Sequence, residues 1–129
     1  MSRSNYSDDC NGRDFILWRG AVASAISGKR GQKLLREMAE ALDSMPKKEL
    51  IAESLEANGE VCALGCIGRA KGIDMSHLDP EEPELVSTAF NVASALVQEI
   101  AFENDEARRH ETPEQRWTRM RNWISQNIK

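Results

Sequence analysis

Between Ile26 and Leu34 the chain reads ISGKRGQKL, with Lys29 and Arg30 set between Gly28 and Gly31 and followed by Gln32 and Lys33. Cations beside glycines where a helix begins are the materials of an anion site. The first turn of a helix leaves N–H groups without intrahelical partners, and glycine lets a ligand approach the backbone closely. The expected chemistry is capture of a phosphate or carboxylate: charge from Lys29, Arg30 and Lys33, close approach at Gly31, and an amide contact from Gln32. Arg19, on the preceding segment, is placed to reach the same region. The motif is not a Walker A loop, because the order GxxxxGK[ST] is absent. The plainer alternative is that Lys29 and Arg30 complement the negative end of the helix before them. A second glycine-bounded basic turn, GRAKG from Gly68 to Gly72, adds Arg69 and Lys71. If the two turns meet in space, the cations line a pocket.

Other chemistry-bearing residues give weaker patterns. Cys62 and Cys66 share a helical face and, with His77 or His110, present metal-ligand types, but the tight CxxC knuckle is missing and core packing is the better reading. FENDEARRHE offers Glu103, Asp105, Glu106 and His110, with Arg108 and Arg109 positioned to neutralise them. No nucleophile with a base and no cofactor loop stands out, so a non-catalytic protein without metal or cofactor is expected. PELVSTAFNVASALVQEI has helix-turn-helix spacing, with Asn91 at the left-handed turn position. The second helix of that unit carries Ala93, Ser94, Gln98 and Glu99 and no basic residue, which argues against DNA, since affinity for B-DNA draws on Lys and Arg. An ordinary helix corner is the expectation.

The elements that must position these residues are helical. Phe15, Trp18, Val22, Ala25 and Ile26 define one helix face behind an Asp14 N-cap, with Gly28 as a left-handed C-terminal cap. Leu34, Leu35, Met38, Ala41, Leu42 and Met45 define a second helix, starting at Gln32 and stopped by Pro46. Residues 48–61 read either as helix, from Leu50, Ile51 and Leu55, or as a hairpin closed by Asn58-Gly59. The segment from Val61 to Gly72 predicts a helix of small residues, whose Gly65 and Gly68 permit close approach of a neighbouring helix. A further helix starts near Pro83. In the last, Thr112-Pro113-Glu114-Gln115 supplies an N-cap, a Pro at N1 and a capping-box partner, ahead of Trp117, Met120, Trp123, Ile124 and Ile128. The fold class is therefore mainly α: a compact single-domain bundle of about five helices over 13–129, with room for a two-stranded hairpin, behind a flexible polar leader over 1–12.

The chain has 129 residues, 40% of them hydrophobic, enough for one core without disulfide or metal staples. Three cysteines fit reduced thiols, no apolar run reaches membrane-spanning length, and the N-terminal stretch lacks the pattern of a signal peptide, so a cytoplasmic, non-membrane protein is expected. The net charge of −4 conceals a partition: residues 73–107 hold nine acids and no Lys or Arg, and the remainder is formally positive. Opposite potentials on two parts of one molecule steer charged partners and favour homo-oligomers. They also raise an alternative function, a protein-interaction inhibitor that shows an acidic, nucleic-acid-mimicking surface at Glu99, Glu103, Asp105 and Glu106 to a basic host protein.

WRGAVASAISGKRGQKLL, GEVCALGCIGRAKGIDM, AFENDE and ETPEQRWTRMRNWI, in that order from about Arg13 to Ile128, resemble small proteins encoded by bacteriophages and prophages. The resemblance brings no activity with it. It implies a setting, the bacterial host cell, and a kind of role: an accessory binding protein, such as a host-defence antagonist that sequesters a nucleotide-like ligand.

Overall fold

The computed structural model describes residues 12–108 and 110–129, without the side chains of residues 12–15. The leader with Cys10, the Asp14 and Phe15 side chains and Arg109 lie outside that description. Among the described residues, six helices and one small hairpin form a mainly α bundle.

Helix α1 (Gly12–Ser27) buries Val22 and Ile26, with Trp18 and Ala25 packed beside them. It hands over to α2 (Lys29–Asp43) through one residue. Gly28 is extended, at φ −69° and ψ 163°, and serves as the N-cap of α2. The expected left-handed C-cap at Gly28 is therefore corrected, and α2 starts at Lys29, three residues earlier than the apolar periodicity predicts. Apolar spacing marks where a helix becomes buried, whereas the Gly28 carbonyl already accepts the Gln32 N–H at 2.9 Å. The glycine that matters is Gly31: a Cβ there would lie 1.9 Å from the Ala25 carbonyl oxygen, so only glycine lets α2 start this close to the end of α1.

Helix α2 buries Leu34, Leu35, Met38 and Leu42. Its C-terminal end is closed by the Lys48 ammonium, which donates to the Asp43 carbonyl at 2.6 Å and sits 5.5 Å from the centre of the Trp117 ring. Residues 48–61 resolve as the hairpin. Strands β1 (Glu56–Ala57) and β2 (Glu60–Val61) pair antiparallel, Glu56 with Val61 and Ala57 with Glu60. Asn58 and Gly59 both take positive φ, 53° and 80°, the turn whose twist matches a hairpin.

Helix α3 (Ala63–Ala70) is buried from Ala63 through Gly68. Cys62 caps it, the sulfur accepting the Gly65 N–H at 3.3 Å. Gly65 does permit a close approach, but of the Leu55 carbonyl in the preceding loop rather than of a helix: a Cβ would fall 1.8 Å from that oxygen. Helix α4 (Pro83–Phe90) meets α5 (Ser94–Asp105) at 108° across Asn91, whose left-handed conformation, φ 57° and ψ 47°, is the one expected there. Helix α5 buries Leu96, Val97, Ile100 and Ala101 and packs against α1, α3, α4 and the last helix. That last helix, α6 (Pro113–Asn127), begins with the full capping box on Thr112 and Gln115 and buries Met120 and Ile124 against α2 and α5. Among the described residues no single helix is long and apolar enough to cross a membrane.

Candidate basic corner and adjoining cleft

The cations expected to form one site occupy four places. Arg19 lies across α1 from α5 and donates to Glu99 at 2.8 Å; that carboxylate is only 5% exposed. Arg69 turns to the hairpin, meeting Glu56 at 3.3 Å and the Gly59 carbonyl at 3.0 Å. Lys71 meets Glu37 at 3.3 Å. Because Glu37 follows Arg30 by seven residues, about 10 Å along the helix axis, the second basic turn reaches α2 well away from the first. The two turns do not share a pocket.

Lys29, Arg30 and Lys33 remain together at the corner of α1 and α2, all exposed. Two further cations, which the sequence reading missed, join them. Arg36 follows Lys29 and Lys33 at helical spacing on the same outer face, a phase that was readable in advance. Lys129 arrives from beyond α6, and nothing local announces it. Among the described residues none of these five faces a carboxylate side chain within ion-pair distance.

Arg36 donates to a main-chain oxygen of Lys129, the last residue given, at 3.1 Å. Two of the five are held by uncharged side-chain oxygens: the Arg30 guanidinium donates to Asn91 Oδ1 at 3.2 Å, and the Lys129 ammonium to Ser27 Oγ at 2.8 Å. Such bonds orient a cation without cancelling its charge. Beneath them α2 begins with no acid in its first turn and no side-chain cap, so two positive side chains stand on the positive end of a helix dipole. This arrangement is unfavourable by itself and becomes favourable with an anion in front of it.

The expected roles of Gly31 and Gln32 change. Gly31 is buried against α1, so its close approach is to Ala25 and not to a ligand. Gln32 is a buried clamp. Its amide donates to the carbonyls of Ile26 at 2.7 Å and Asn127 at 2.9 Å, and its oxygen accepts the Lys129 N–H at 2.8 Å. In that position it fastens the end of α6 to the basic corner.

The expected acidic surface contracts in the same way. Glu99 is buried on Arg19. Glu103 is half-buried, 3.7 Å from Arg119, with burial first and Glu99 second raising its pKa above the ordinary value. Asp105 accepts the Glu53 N–H at 3.0 Å and the Asn104 amide at 2.8 Å. Of the four, Glu106 alone is exposed. The helix-turn-helix spacing likewise belongs to a core corner, since α5 lies at the centre of the bundle and does not project.

Cys62 and Cys66 are buried free thiols, and burial pushes Cys66 up to about 11, so it stays protonated at neutral pH. Among the described residues no three His, Cys, Asp or Glu side chains gather as a metal site. Past Arg36 the outer face of α2 borders a cleft of about 580 Å³, walled by α3 and the hairpin and floored by Met45, Val61, Cys66 and Ile67. No protein-family model, curated protein or solved structure matches the chain.

Proposed function

We propose that the protein is a non-catalytic binding module that captures a phosphate-bearing, nucleotide-like ligand at the basic corner. The observation that carries this reading is the set Lys29, Arg30, Lys33, Arg36 and Lys129, with Arg30 and Lys129 oriented by neutral side-chain oxygens and, among the described residues, no carboxylate side chain within ion-pair distance of any of the five. Several cations elsewhere are answered by acids: Arg19 by Glu99, Lys71 by Glu37, Arg119 by Glu111 and Arg121 by Asp43. A protein of net charge −4 that gathers these cations on one corner carries a local field that attracts anions. The phage resemblance supplies the setting, a bacterial cytoplasm, and the role, an accessory protein that withdraws such a ligand from host defence.

A thermal-shift panel of cyclic and linear nucleotides tests the reading. A stabilising nucleotide is expected, with its affinity falling as salt rises. The double reversal Arg30→Glu and Lys33→Glu should weaken it at least about 100-fold, because each charge-assisted hydrogen bond contributes about 1.5–3 kcal/mol. Both residues are exposed, so the fold should persist. No shift with any nucleotide, or one that survives the reversal, overturns the proposal.

A further inference from the structure

We propose that the cleft between α2, α3 and the hairpin is a separate binding site for a small organic cation, an ammonium or guanidinium group carried on an apolar body. Its volume, about 580 Å³, lies within the range of small-molecule sites, and its floor of Met45, Val61, Cys66 and Ile67 is apolar. The choice of ligand charge follows from how the rim is paired. Lys71 is held by Glu37, Lys47 by Glu49 at 3.2 Å, and Arg69 by Glu56. Each positive group on the rim is thus already answered. Two further carboxylates, one from each wall, make no ion pair or hydrogen bond among the described residues: exposed Glu40 on α2 and exposed Glu60 on β2, the latter adding only its field to Lys47, which Glu49 already pairs.

An anion entering the cleft would have to displace an existing pair. A cation finds carboxylates in excess around the rim while its apolar body covers the floor. The floor contributes no competing charge, because Cys66 stays protonated at neutral pH.

Phenethylammonium is a suitable probe, followed through the methyl resonances of Met45, Val61 and Ile67 and compared with neutral 2-phenylethanol and anionic 3-phenylpropionate. The ammonium should bind about tenfold more tightly than the alcohol, and the carboxylate more weakly than either. In the double variant Glu40→Gln and Glu60→Gln, which alters only exposed side chains, the preference for the ammonium over the alcohol should vanish while the alcohol's own affinity stays put. Equal binding of ammonium and alcohol by the unaltered protein overturns the proposal, as does a preference that survives the double variant or an absence of methyl shifts with all three probes. The site does not depend on the basic corner, so Arg30→Glu should leave these titrations unchanged.

Discussion

The outer face of α2 carries two surfaces with opposite habits. Its N-terminal half presents Lys29, Arg30, Lys33 and Arg36, steadied by Asn91 and by the main chain of Lys129; its C-terminal half presents Glu37, Glu40 and Asp43 beside a cleft whose cations are paired. The difference is one of acceptor type. A neutral oxygen fixes a cation and leaves its field intact, whereas a carboxylate fixes it and cancels the field beyond a few ångströms. Equal numbers of charged residues can therefore give a strongly charged surface or a nearly neutral one.

The largest expected effect comes from Gly31→Ala, which forces a methyl group against the Ala25 carbonyl. A loss of about 3 kcal/mol or more is expected in urea unfolding. Sub-denaturing assays should show the corner losing anion affinity while the cleft keeps its cation preference; loss of both together would mean that the halves are not separable. Gln32→Ala should cost about 2 kcal/mol, because it strands the carbonyls of Ile26 and Asn127 and the N–H of Lys129. Lys129 should then exchange faster with deuterium than the core of α2.

Smaller effects lie at the other end of the helix. Lys48→Ala removes the ammonium from the last carbonyls of α2 and from the Trp117 face, for about 1 kcal/mol in the same assay. Asp43→Asn is the least disruptive. The Arg121 hydrogen bond lowers the Asp43 pKa from its ordinary 3.8, so the pair contributes stability above that pH and loses it as pH falls through the depressed folded value. Since Asp43 is more than half exposed, screening holds the contribution to about 0.5 kcal/mol. The variant should lower Tm slightly at pH 7 and not at all near pH 2, a difference that a pH series of melts would read.

Features that depend on neighbours in the chain were legible before the structure. The left-handed Asn91, the capping box at Thr112 and Gln115 and the Asn58-Gly59 turn each rest on interactions within a few residues, and each is present. The apolar stripes of α1, α2 and α6 were legible for the same reason. What escaped were long-range pairings: Glu99 sits 80 residues from Arg19, and Lys129 meets Gln32 across 97. Periodicity says which face of a helix is buried, but not which charge on another element will lie opposite it. Arg19, Arg69 and Lys71 are thereby drawn into ion pairs, and Arg36 and Lys129 stand beside Lys29, Arg30 and Lys33 instead.

The Gln32 clamp has a consequence for the order of events during synthesis. The corner of α1 and α2 leaves the ribosome early, yet the side chain that latches it waits for residues 127–129, so a nascent chain carries an incomplete version of this basic corner until translation reaches that point. Removal of residues 127–129 should leave a bundle whose first two helices are formed but whose corner is slack.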